Sequence, residues 1–358
     1  MTSLLVGCAP DQATLQTTPQ PDPTQTAAPT SETESTQWWN EAVFYEIFVR
    51  SFKDSNGDGI GDFNGITEKL DYLQELGINA IWLMPIHPSP SYHGYDVLNY
   101  YAVNPEYGTM DDFKNLLNEA HQRGIRIIID LVLNHTSSQH PFFRDANRDP
   151  VSTYRDWYVW SDSAGDHWHQ GNGGYYYGYF WGGMPDLNYN NPEVTDQMFD
   201  VTRYWLENIG IDGFRIDAAK HLIEEGAKLE NTDATHEWFI GFYTAYKNSN
   251  SDAYSVGEVY GAGAFLATKY KGQLDHIFNF EIASGIMNSV IGESNTGINS
   301  AWNFTLKDIS NGDYATFLTN HDQNRVMSVL NGNEEKAKLA AVMLLTSPGT
   351  PFIYYGEE

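Results

Sequence analysis

Three observations in the order of segments predict a (β/α)8 barrel, the TIM-barrel class of α/β fold. Short apolar segments alternate with stretches of helical period, eight of the former can be counted, and acidic residues recur where they end. A doubly wound open sheet is the alternative that the same alternation allows. The strand candidates are 44–50, 78–84, 126–132, 213–217, 254–259, 276–280, 315–319 and 351–355. They are short and apolar, and several are rich in β-branched or aromatic residues, as strands buried on both faces should be. Helical period marks 66–76, 110–123, 194–208 and 334–345, with Thr109 and Asp112 placed as a capping box before the second.

The connection between the third strand and its helix, 135–194, is far longer than such loops usually are. It is rich in Gly, Tyr, Trp, Asp and His and shows no helical period, so a small inserted domain at the C-terminal mouth of the barrel is expected. Residues 9–36 are almost all Pro, Thr, Gln, Ala, Ser, Asp and Glu, a composition that cannot bury a core. The expected organisation is a leader and tether over 1–37, barrel over 38–134, the insert over 135–194 and barrel again over 195–358. The eighth helix is expected to lie outside a chain that stops at Glu358.

Composition narrows the partners. A net charge of −27 argues against nucleic acid and anionic membranes, both polyanions, and suits a neutral ligand. The single cysteine, Cys8, rules out an intrachain disulfide. Its context, Leu5-Val-Gly-Cys8, resembles a bacterial lipobox, although the apolar run before it is short and no basic residue precedes it. The expectation is a secreted or cell-surface lipoprotein touching a membrane only through a lipid on Cys8. A chance cysteine in a disordered leader is the other reading. A monomer is expected.

Reactive groups of a barrel sit where strands end. Asp130, Asp217, Glu258 and Asp322 all fall there. Carboxylates clustered at one mouth cannot all ionise cheaply, so their pKa values must separate. Glycoside hydrolysis uses such a separation, one carboxyl donating a proton while another attacks. Arg215 lies two residues before Asp217, and strand alternation puts both on one face, where the guanidinium favours the Asp217 anion. Asp54-Ser-Asn56-Gly-Asp58-Gly-Ile60-Gly-Asp62 alternates oxygen ligands like the first half of a calcium loop. It is not an EF-hand, because Gly65 stands at the twelfth position. A polar, Gly-rich turn is the alternative. His167 and His169, without Cys or a third ligand nearby, read as surface and not as zinc ligands.

Taken together and in order, segments 130–135, 213–221, 257–260 and 317–322, with 184–188 and Gly94-Tyr95-Asp96 in support, resemble the α-amylase family, glycoside hydrolase family 13, from Trp39 to Glu358. The resemblance implies that Asp217 is the nucleophile, Glu258 the general acid and base, and Asp322 a third acid stabilising the transition state. It implies that Arg215, His135 and His321 bind the same sugar, that Tyr95 stacks on it, and that Lys220 serves longer glucans beyond the cleaved bond. Calcium is the implied cofactor, held by Asp54, Asn56, Asp58, the Ile60 carbonyl and Asp62. A second ion would be held by Asn134, Asp186 and the His221 carbonyl. The implied activity is retaining hydrolysis of α-1,4 bonds in starch-type glucans. α-Glucosidase, oligo-1,6-glucosidase or cyclomaltodextrinase-like activity is the runner-up. A non-catalytic sugar-binding relative would be expected to lack one of the two working carboxyls, and both are present. The family also places an Asp–Arg pair and a β-sandwich after strand eight, beyond Glu358.

Overall fold

The computed structural model describes residues 1–2, 37–261, 263–308 and 313–358. Cys8 and most of the tether lie outside the described residues. Within the body Gln37–Glu358, eight parallel strands form one sheet: β1 (Phe44–Ile47), β2 (Ala80–Leu83), β3 (Arg126–Leu131), β4 (Gly213–Ile216), β5 (Tyr254–Gly257), β6 (His276–Ile277), β7 (Ala315–Thr316) and β8 (Thr350–Tyr354). Their spatial order is β7-β8-β1-β2-β3-β4-β5-β6. A parallel bridge between Phe278 and Ala315 joins the two ends. The sheet is therefore a barrel, and the doubly wound alternative falls. All eight expected strands are present, several cut short: β6 and β7 pair over only two residues each.

Alternation along the strands sorts two apolar cores. Inward side chains Phe44, Trp82, Ile128, Tyr254, Val256, Phe278 and Phe352 fill the barrel, and Phe44 stacks flat on Phe352 at 4.2 Å. Outward ones such as Ile47, Ile81, Leu83, Ile127, Ile129, Phe214 and Ile216 pack in a second cluster with Leu70, Leu116, Val201 and Phe242 of the surrounding helices. A side chain at Gly213 would not fit, since its Cβ would meet the Tyr254 carbonyl oxygen at 2.0 Å. Most of the helices open on a side chain that satisfies their unpaired N–H groups: Asp62, Thr109, Asn191, Thr232, Asn279 and Asn333 each accept from the first turn. The Thr109–Asp112 capping box is formed as expected.

The insert departs from expectation in one respect. It contains a helix, Pro141–Arg148, capped by His140, which buries Phe143 and Ala146. Eight residues are too short for their period to stand out against flanking loop. The rest is a three-stranded antiparallel sheet, 160–161 and 168–171 flanking 174–177, and the bridges His135–Asp186 and Tyr158–Leu187. Among the described residues no helix is long and apolar enough to cross a membrane.

Candidate active site

The inward-facing rule that fills the barrel with Phe and Trp places charge at its C-terminal end. Asp130 and Arg215 are register partners on β3 and β4, Asp217 follows β4, and Glu258 follows β5. Arg215 is buried, and its guanidinium grips three carboxylates. Nη1 donates to Asp217 Oδ1 at 2.7 Å and to Asp130 Oδ1 at 2.9 Å, while Nη2 reaches Glu258 Oε2 at 3.0 Å. Burial pushes the Asp217 carboxyl up to about 8; Arg215 opposes the rise, and Asp130 and Glu258 add to it. Burial also raises Asp130, again against Arg215. With Arg215 facing three acids, burial favours a proton on Asp130 or Asp217.

Just after Asp217 the chain takes a left-handed turn at Ala218, φ 47°, costly for a residue with a Cβ. The turn carries the Ala218 N–H toward Glu258 Oε2 at 3.3 Å, and Ala219 N–H bonds the Glu258 carbonyl at 3.0 Å. The segments that carry Asp217 and Glu258 are thus tied together by backbone as well as by Arg215.

Tyr95 hydroxyl donates to Asp130 Oδ2 at 3.2 Å and lies 2.7 Å from His321 Nε2, with the two rings stacked. Asp322 Oδ2 is 3.4 Å from the same nitrogen. His135 is buried with Nε2 unpartnered, and burial drives its pKa down to about 3, so it is neutral. These residues line a cleft of about 780 Å³ together with Asp217, Glu258, Lys220 and His221. Tyr92, Phe180, Trp181 and Tyr260, all exposed, form its rim. Lys220 lies on that cleft, but its ammonium is already paired with Glu230 at 2.7 Å and donates to the Tyr260 carbonyl at 3.2 Å.

The sequence-predicted metal ligands fall into two places. Asp54, Asn56 and Asp58 each accept backbone N–H groups from residues further along their own loop. These bonds hold Asp54 below its ordinary carboxylate range, Gly59 and Gly57 contributing most. Asp62 binds Ser55 and caps the helix Phe63–Glu68. This loop does not line the cleft.

The second place is buried beneath the insert. Asn134 Oδ1, Asp186 Oδ2, Glu224 Oε1 and Tyr177 hydroxyl all lack a hydrogen-bond partner there. Burial pushes Asp186 well up, and the nearby Glu224 pushes it further. Burial raises Glu224 to about 7. Orphaned oxygens of this hardness fit a calcium ion. Glu224 and Tyr177 were not expected. Among the described residues no three of His, Cys, Asp and Glu converge as a metal site, so the structure does not bring Asp54, Asp58 and Asp62 together as one.

Sequence reasoning also passed over Glu46, an acid inside apolar β1 and 2% exposed. A charged residue in a strand buried on both faces is the signal that was there to read.

A closed (β/α)8 barrel with an arginine-bound acid cluster at its C-terminal mouth, open to a cleft rimmed by aromatic rings, defines a carbohydrate-active hydrolase site. The sequence pattern of the family "Alpha amylase, catalytic domain" matches residues 46–358, and the chain belongs to that family. It is 47% identical over 329 residues to alpha-amylase 3 of Dictyoglomus thermophilum, covering 90% of this chain and 64% of that protein. It is 36% identical to a probable oligo-1,6-glucosidase 2 of Bacillus subtilis, covering 90% of this chain and 66% of the relative. The crystal structure of an alpha-amylase from H. orenii superposes with a TM-score of 0.82 at 46% identity, over 88% of this chain and 68% of that one. The chain thus spans just under two thirds of the length of these curated relatives.

Proposed function

We propose that the chain carries the catalytic machinery of a retaining α-glucoside hydrolase acting on internal α-1,4 bonds of starch-type glucans. The observation that carries this reading is the sharing of Arg215 by Asp217 and Glu258 at the floor of the cleft. Retention needs one ionised and one protonated carboxyl about 5 Å apart. Two acids bound to one guanidinium beside a third acid supply the proton count. A glycosidic oxygen arriving at Glu258 offers an acceptor that draws the proton there, and Asp217 keeps the shorter bond to Arg215. Asp217 then attacks the anomeric carbon while Glu258 protonates the departing oxygen. Water, deprotonated by Glu258, releases the sugar with its configuration retained. Asp322, neutral His135 and Tyr95 are placed to hold hydroxyls of the same sugar. An open cleft with ring platforms suits a long neutral chain better than a closed pocket would.

A second reading, oligo-1,6-glucosidase activity, is favoured by the pairing of Lys220 with Glu230, which takes up the cation assigned to longer glucans. Products from starch, maltooligosaccharides and isomaltose separate the two. Internal cleavage of starch with the α-anomer released first supports α-amylase. Glucose from isomaltose with starch untouched supports the runner-up. An initial β-anomer sinks both.

Calcium belongs to the proposal as a structural ion. Asn134, Asp186, Glu224 and the His221 carbonyl would hold one where the insert meets the barrel. The oxygens of Asp54, Asn56, Asp58, Ile60 and Asp62 would hold another. At the insert its chemistry would be charge neutralisation of the Asp186 and Glu224 carboxyls, whose unpartnered oxygens are buried.

A further inference from the structure

Glu46 has no part in the steps above, yet it is buried on the inner face of β1 and aimed at the site. Its Oε1 lies 2.6 Å from His321 Nδ1. With Glu46 ionised, Nδ1 carries the hydrogen, and the question is what Nε2 carries. The charged groups facing the ring are Glu46 from β1, Asp130 from β3, Arg215 from β4 and Asp322 beside it. Glu357, with Arg325 near it, acts on Glu46 from beyond β8. The edge of Trp82 covers the rest.

If His321 were neutral, Nε2 would be a bare lone pair 3.4 Å from the Asp322 carboxylate. It would also have to take the Tyr95 proton, leaving Asp130 Oδ2 with only the Trp82 indole N–H, at 3.3 Å, as donor. With Nε2 protonated, every contact is satisfied at once. His321 donates to the Tyr95 oxygen, Tyr95 donates to Asp130, Asp322 faces a cation, and the Tyr95 oxygen also accepts from Arg215 Nη1 at 3.3 Å. We propose that Glu46 is a positioning residue that keeps His321 as an imidazolium, making its Nε2–H a fixed donor between Tyr95 and Asp322 at the sugar-binding floor. This rests on the hydrolase reading only for its consequence, not for its geometry. The electrostatics agree. Burial works hardest to neutralise His321, but the charge and hydrogen bond of Glu46 together with the charge of Asp322 outweigh it, leaving the ring above its ordinary pKa. Burial raises Glu46, with His321 pulling it back.

The test is a histidine 15N NMR titration of the whole chain, with the His321 signals identified by their loss in His321→Asn. In the wild type both ring nitrogens of His321 should show the imidazolium pattern at pH 7. In Glu46→Gln, which keeps shape and hydrogen bonding, the midpoint should fall by about one pH unit or more. The alkaline limb of kcat/KM on a maltooligosaccharide should move to lower pH by the same amount. A neutral His321 at pH 7 in the wild type overturns the proposal and needs no variant. So does an unmoved midpoint in Glu46→Gln, or a loss of activity equal at every pH. A midpoint that falls in a protein that cleaves no glucan upholds the dyad and sinks the hydrolase reading instead.

Discussion

Replacing Arg215 by Met leaves the barrel a side chain of similar length and removes the cation that Asp130, Asp217 and Glu258 share. Breaking a buried ion pair by deleting one partner costs about 3–5 kcal/mol, because the remaining charge is buried without compensation. Whole domains have a margin of only about 5–15 kcal/mol. Unfolding entropy of roughly 2 cal/mol/K per residue gives the body Gln37–Glu358 about 0.7 kcal/mol/K, so the melting midpoint should fall by about 4–7 °C. The sign of the pH dependence follows from Asp130 and Asp217, both already raised by burial against Arg215. Without the arginine their folded pKa values rise further above the unfolded ones. An acid with a raised folded pKa loses stability as pH climbs from its unfolded pKa toward its folded one. The deficit of Arg215→Met should therefore widen from pH 5 to pH 8. Calorimetric or circular-dichroism melts of both proteins at the two pH values decide it. Equal midpoints at pH 8, or a deficit that shrinks as pH rises, would refute the claim that Arg215 neutralises a buried acid cluster.

Asp217→Asn should abolish glucan hydrolysis, by about four powers of ten or more, with the fold intact by circular dichroism; a wild-type rate on starch would sink the nucleophile assignment. Glu258→Gln should slow the first step much less on aryl glucosides with good leaving groups, which need no proton donor, while loss of the base slows release of the sugar, so an initial burst of the aryl group is expected; equal first-step losses on good and poor leaving groups would count against it. Calcium should raise the melting midpoint and chelator lower it, because an ion bound only by the folded state stabilises by mass action. In Glu224→Gln the part of that response owed to the insert-side oxygens should weaken, and an undiminished response would remove Glu224 from the ligand set.

The alternation of apolar strand segments with helical period narrowed the fold to a barrel or a doubly wound sheet, because burial on both faces forces each strand to be short and apolar, and only closure through Phe278 and Ala315 decided for the barrel. Asp130, Asp217, Glu258 and Asp322 could be placed at its mouth because the reactive groups of a barrel sit where its strands end. The helix Pro141–Arg148 could not be found, because eight residues barely exceed two helical turns and its buried face is set by the insert around it. Alternation gave the Arg215–Asp217 pair, which is formed, but not that Asp130 and Glu258 share the same guanidinium. Register sets it, pairing Asp130 with Arg215 across β3 and β4 and bringing Glu258 to the other arm of the guanidinium from the end of β5. The resemblance offered Lys220 as a contact for longer glucans, and the fold pairs its ammonium with Glu230. Glu46 and Glu224 were legible only as isolated acids. Their partners, His321 in one case and the orphaned oxygens of Asn134, Asp186 and Tyr177 in the other, come from segments far apart in the chain. Local pattern reports which faces are buried. What meets inside them depends on barrel closure, strand register and the folding-over of the insert, and those are decided only when the whole chain packs.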